Sequence, residues 1–151
     1  MTHAEGEKAH LVLADGTAFP GELFGARADA VGEAVFTTTM IGYEEVLTDP
    51  SFTGQIVVMT APEMGNYGVA LDDTESLDGR PKVAGFVTRS ISPVASSWRA
   101  KETLGAWLAR HGVVAISEID TRKLTRHLRD AGSQNAAIGT GPVAALHERA
   151  R

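Results

Sequence analysis

The chain has 151 residues, is 43% hydrophobic and 22% charged, and carries a formal net charge of −5 with no cysteine. That length and apolar content suit one globular domain with a packed core. The negative balance argues against a general nucleic-acid binder. The lack of an apolar run of about 18 residues argues against a spanning helix, hence against a membrane partner. Without cysteine there are no disulfides, thiolate metal sites or thiol nucleophiles. The start, MTHAEGEKAH, lacks the basic end and apolar stretch of a signal peptide, so a cytoplasmic protein is expected.

In chain order, residues 1–9 read as a disordered leader. His10–Leu13 is a short strand, Asp15–Gly16 a hairpin turn, and Thr17–Phe24 the return strand. Val31–Thr38 has strand composition, and Gln55–Thr60 is an apolar run that fits a buried strand. Residues 63–80 form a long loop rich in Gly, Asn and Asp, and Val83–Arg89 is a further strand. Lys101–His111 sets Leu104, Trp107, Leu108 and His111 on one helical face, with Gly112 as its stop. After a strand at Val113–Ile116, Asp120 caps a helix over Thr121–Ala131. Leu124, Leu128 and Ala131 form its buried stripe, with Gly132 beyond. Asn135–Gly139 is a last strand, and the Ala-rich tail 141–151 starts a linker helix. Five or more strands followed by two helices predict an α+β domain, or a layered β/β/α one.

Charge is unevenly placed. Residues 1–83 hold 14 acidic and 4 basic side chains, and residues 84–151 hold 5 and 10. Solvated helix faces account for this, and so does a basic face that meets an acidic partner surface.

The run Phe36–Ser51, FTTTMIGYEEVLTDPS, has no clean strand or helix period. Pro50 fixes its own φ and pushes Asp49 out of the helical region, so Asp49–Pro50–Ser51 reads as a rigid turn ending in a hydroxyl. As a nucleophile Ser51 would need a histidine base oriented by a third group. His10, His111 and His127 exist, but no G-x-S-x-G elbow does. Gly65–Asn66–Tyr67–Gly68 departs from the phosphate-loop pattern and reads as a tight loop or a loop facing an interface. Asp72, Asp73, Glu75 and Asp78 lack calcium-loop spacing, and the histidines lack zinc spacing. At the start of the last long helix, Arg122 and Arg126 offer forks to carboxylates, an interface role that stands beside the structural role of the Asp120 cap.

The chain also carries an ordered set of matches to a known family. The set runs from Leu11–Val12–Leu13, Asp15–Gly16–Thr17 and Gly21 through Val31–Thr37, Met40, Gly42–Tyr43 and Glu45. It continues with Leu47–Thr48–Asp49–Pro50–Ser51, Gln55–Ile56–Val57 and Gly65–Asn66–Tyr67–Gly68. It ends with Ile119–Arg126 and Gly132–Ser133–Gln134–Asn135. In this order the set resembles the start of the small, glutamine-using subunit of carbamoyl phosphate synthetase.

The resemblance implies the family's swivelling β/β/α domain over residues 10–140, with 141–151 leading to a C-terminal glutaminase domain. That second domain is a glutamine amidotransferase with a cysteine nucleophile and a histidine base. Its ammonia passes to a large subunit, which uses bicarbonate, ATP and Mg to make carbamoyl phosphate for arginine and pyrimidine biosynthesis. No cofactor is implied for the N-terminal domain itself. The family's glutamine-binding serine falls on Ser51, whose hydroxyl can donate to a carboxylate and accept from an ammonium. The implied role is non-catalytic: docking on the large subunit, shaping the ammonia path, and lending Ser51 to the glutamine pocket. A free-standing interaction domain of the same fold is the rival reading, and a small hydrolase a third.

Overall fold

A computed structural model describes residues 4–37, 43–60, 81–89 and 104–151. Among these residues the strands are β1 (Ala4–Leu13), β2 (Ala18–Gly25), β3 (Ala30–Thr37), β4 (Gln55–Met59), β5 (Gly85–Val87), β6 (Val114–Ser117) and β7 (Gln134–Gly139). The helices are α1 (Tyr43–Thr48), α2 (Leu104–Arg110), α3 (Thr121–Ala131) and α4 (Val143–Ala150), with a 3₁₀ turn at Pro50–Phe52. The α+β class expected from the sequence is seen. The strands join as one closed sheet in the order β1-β2-β6-β5-β4-β3-β7. β3, β4, β5 and β6 run parallel to their neighbours along that arc, and the remaining pairings are antiparallel.

Alternation along the strands divides the apolar residues between two sides of the sheet. Leu11, Leu13, Ile56, Val58, Val114, Ile116, Ala136 and Ile138 share the main cluster, which Leu124 and Leu128 of α3 complete. Their strand neighbours Val57, Met59, Phe86 and Ala115 belong to a second cluster, with Trp107 and Leu108 of α2 and Val46 and Leu47 of α1. Val12 and Ala137 meet Leu146 and Ala150 of α4 in a third. Strands buried on both faces read as continuous apolar runs, which is why QIVVM shows no period of two. Each fully buried Leu, Ile or Val among them contributes about 1.5–3 kcal/mol.

Several expectations shift. Residues 4–9, expected in a leader, belong to β1 and pair with β2 from Ala4↔Gly25 onward. The long β2 leaves backbone donors and acceptors that a polar strand can satisfy as well as an apolar one, so hydrophobicity did not announce it. α1 lies where no helix was expected. Ala131 is exposed, and Thr121 and Thr125 are buried beside Leu124 and Leu128 instead. The tail forms α4, whose Leu146 and Ala150 are fully buried against the outer face of β1 and β7. The ends of α3 fall where expected: the Asp120 carboxylate accepts the Lys123 N–H at 3.0 Å, and Gly132 has φ +93°.

Candidate functional site

The Asp-Pro-Ser corner is held from both sides. α1 sets Val46 and Leu47 into the cluster outside β4. Pro50 then turns the chain: Asp49 is extended at φ −70°, ψ 121°, and its Oδ1 accepts the Ser51 N–H at 2.9 Å. The Phe52 N–H reaches Asp49 O at 3.1 Å, and the Thr53 hydroxyl donates to Pro50 O at 2.7 Å. Leu47 O accepts from the Lys82 N–H at 2.7 Å, which ties the corner to the segment leading into β5. The Ser51 backbone is therefore fixed while its side chain is exposed, and its hydroxyl has no hydrogen-bond partner among the described residues.

Among the described residues no histidine hydrogen-bonds to Ser51. The His111 ring packs edge-on against Trp107, with centroids 5.1 Å apart. His127 donates from Nε2 to Asp15 Oδ2 at 2.7 Å. The Thr17 hydroxyl lies 3.5 Å from the same nitrogen, so these three groups are no triad, in which base and orienter must use the two ring nitrogens separately. The small-hydrolase reading thus loses its geometry at Ser51 and finds none at Thr17. Instead, Asp15 anchors the first hairpin. Burial alone would raise its carboxyl, but hydrogen bonds from His127, from the Thr17 backbone and side chain, and from Gln134 hold it well below the usual carboxylate range. Gln134 also accepts the Asp15 N–H at 2.8 Å, and His147 Nε2 donates to Ala14 O at 3.0 Å.

Arg122 and Arg126 are brought together. They lie on the exposed face of α3 and line a cleft of about 460 Å³ with Arg129 and with Arg89, which follows β5. Thr60, Thr121 and Thr125 also line it, and among the described residues the lining contains no carboxylate. Arg129 is held over the Phe36 ring at 5.8 Å. The spacing of Arg122, Arg126 and Arg129 was a visible signal of one cationic face, but Arg89 joins it only through the fold. Gly65, Asn66, Tyr67 and Gly68, and the acidic run Asp72–Asp78, lie outside the described residues. Among the described residues no group of three or more His, Asp or Glu could hold a metal, and no helix is long and apolar enough to cross a membrane.

Residues 11–138 match the family model of the carbamoyl-phosphate synthase small chain, CPSase domain. The chain belongs to that family. It is 50% identical over 151 residues to the carbamoyl phosphate synthase small chain of Parasynechococcus marenigrum, covering 98% of this chain and 39% of that relative. It is 53% identical over 133 residues to that of Akkermansia muciniphila, covering 88% of this chain and 35% of the relative. The chain thus spans less than two fifths of the length of these small chains. Among solved structures, an aminopeptidase from Aneurinibacillus sp. strain AM-1 overlays with a TM-score of 0.46 at 13% identity, covering 91% of this chain and 31% of that one. A likeness that loose carries no argument about chemistry. In this small-chain domain Ser51 and the arginine cleft are separate features, since Ser51 is not part of the cleft lining.

Proposed function

We propose that this barrel is the family's swivelling β/β/α domain and serves carbamoyl phosphate synthetase without catalysing a step itself. It docks on the large subunit, helps shape the ammonia path, and lends the Ser51 hydroxyl to a glutamine pocket completed by a C-terminal glutaminase domain. The observation that carries this reading is the Ser51 corner: a backbone locked by Asp49 and Pro50, presenting an exposed hydroxyl with no partner among the described residues. Such a group is preorganised to bind, and among the described residues it has no base to make it a nucleophile. The chain has no cysteine, so thiol chemistry on glutamine belongs elsewhere. Arg122 and Arg126 offer cationic forks to acidic groups of the large subunit; residues 65–68 are proposed to face the same interface. ATP and Mg serve the large subunit, in the supply of carbamoyl phosphate to arginine and pyrimidine biosynthesis. Family membership favours this over a free-standing interaction domain.

The test is Ser51→Ala in the complete small chain assembled with its large subunit. Losing the hydroxyl should cost about 1–2 kcal/mol, or roughly 5- to 30-fold in kcat/KM for glutamine, chiefly through KM. Synthesis driven by free ammonia should stay unchanged. An equal loss with both nitrogen sources would assign Ser51 to folding or docking and remove the glutamine-binding role. The 151-residue chain alone should bind glutamine more weakly than millimolar. One hydroxyl contributes about 0.5–1.5 kcal/mol, and millimolar affinity needs about 4 kcal/mol.

A further inference from the structure

The arginine cleft has features that a docking face does not require. It is concave, and its volume of about 460 Å³ falls in the range of small-molecule sites. Four guanidinium groups converge on it from two elements, Arg122, Arg126 and Arg129 from α3 and Arg89 from the segment after β5. None of the four has an acidic partner among the described residues, whereas Arg27, Arg149 and Arg151 pair with Glu7, Asp29 and Glu148.

The fold explains the position of the cleft. β4, β5 and β6 are parallel, and Thr60, Arg89 and Thr121 all follow the C-terminal ends of these strands. Open α/β sheets bind ligands in crevices at the carboxyl ends of their parallel strands, and the parallel arc of this closed sheet presents an edge of the same kind. The N-terminal turns of α3 border the cleft and bring the positive end of the helix to it. The Asp120 carboxylate offsets part of that field, but it caps Lys123 and does not line the cleft.

A further observation comes from Thr125. It lines the cleft, is 8% exposed, and its Oγ1 has no hydrogen-bond partner among the described residues. A buried hydroxyl without a partner is costly. Threonine in a helix has two accessible χ1 wells, and an acceptor inside the cleft would supply the missing bond. The Thr60 hydroxyl already donates to Thr37 O at 3.1 Å, so it frames the site without donating to it.

Charge decides the ligand class. A single carboxylate would neutralise one of four guanidinium groups. A phosphate group carries about −1.5 to −2 and three acceptor oxygens, which suit several arginine forks at once. We infer that this cleft is a binding site for a small ligand carrying one or more phosphate groups. The inference does not rest on the docking proposed above, because it concerns the domain alone.

Pyrophosphate is the probe, titrated into the 151-residue chain by calorimetry and by amide chemical-shift mapping. Binding should saturate in the millimolar range or below, with shifts at the start of α3 and at residues 88–89. Arg126→Ala and Arg89→Ala should each weaken it roughly tenfold or more, and Thr125→Val roughly 2- to 10-fold. Arg151→Ala makes the same change in net charge away from the cleft and should leave binding intact. Citrate should bind at least several-fold more weakly than pyrophosphate. If an alanine variant fails to fold, Arg126→Lys keeps the charge and loses the fork, and it should still weaken binding. Three outcomes would overturn the inference: no saturation at millimolar pyrophosphate, an equal loss in Arg151→Ala, or citrate binding as tight as pyrophosphate. Each can occur whether or not Ser51 binds glutamine, so the two readings fail independently.

Discussion

Two corners of this barrel share one local design and differ in what surrounds it. In Asp15–Gly16–Thr17 the carboxylate Oδ1 accepts the N–H two residues on at 2.9 Å, and in Asp49–Pro50–Ser51 it does the same at the same distance. Each turn therefore carries an aspartate that fixes the backbone and a hydroxyl two residues later. At the first corner the tertiary structure engages the polar groups: Asp15 meets His127 and Gln134, and the Thr17 hydroxyl lies against His127. At the second corner only the backbone is engaged, and the Ser51 hydroxyl is left exposed. The motif alone does not distinguish a structural turn from a presenting one. The difference lies in residues distant in sequence, such as His127, 112 positions from Asp15.

Breaking the first corner should have the largest effect. Asp15→Ala strips the carboxylate from His127, Gln134 and the Thr17 N–H. The site is partly exposed, which discounts the charge-assisted bonds, and a loss of about 2 kcal/mol is expected. For a domain of this size that is a Tm lower by roughly 4–8 °C, measurable by thermal denaturation. A loss below 0.5 kcal/mol would mean that Asp15 is no anchor and that the contrast between the corners is false.

Acid should sharpen the same contrast. The folded Asp15 carboxyl titrates below the value of about 3.9 for an unfolded aspartate. Between those values the unfolded chain binds more protons, so the stability from Asp15 is present above about pH 4 and fades as pH falls through the depressed folded value. The gap between wild type and Asp15→Asn, about 1 kcal/mol near neutrality, should therefore narrow in acid. A gap constant from pH 7 to pH 3 would place the effect of Asn in packing, outside proton linkage.

Asp49→Ala should cost less than Asp15→Ala, about 1 kcal/mol, the usual worth of a capping side chain. Its carboxylate has one backbone partner, and Pro50 restrains the turn without it. Urea denaturation of both variants compares the corners directly. Equal losses would show that the distant partners of Asp15 add nothing.

How much of this was legible follows from the same distinction between local and distant causes. The α3 boundaries, the Asp120 cap and the Asp-Pro-Ser turn were readable, because capping and proline stereochemistry act within a few residues. Residues 4–9 of β1 were hidden because backbone pairing with β2 needs no apolar side chains. α1 was hidden because six residues ending against an Asp-Pro stop hold too little helical period to detect. Ala131 fitted the helical stripe, yet α3 meets the barrel along Thr121, Leu124, Thr125 and Leu128, one turn nearer its start. For the cleft, Arg122 and Arg126 were visible on one helix face, but Arg89 and the unpartnered Thr125 hydroxyl depend on closure of the sheet.

The smallest expected effect is the most discriminating. Ser51→Ala in the 151-residue chain should change stability by less than about 0.5 kcal/mol. The Ser51 N–H to Asp49 survives in alanine because it is a backbone donor. Pro50 still fixes the turn, and the residue is exposed, so truncation leaves no cavity. The hydroxyl gives up no bond to another described residue. Paired denaturation curves in urea, compared at equal m-value, resolve a difference of this size. A loss of 1 kcal/mol or more would show that the hydroxyl is consumed inside the domain, as that of Thr17 partly is, and the presenting corner would become a second structural one. A neutral result, set beside a selective loss of glutamine-dependent turnover in the assembled enzyme, would separate the two corners by function as cleanly as their geometry separates them now.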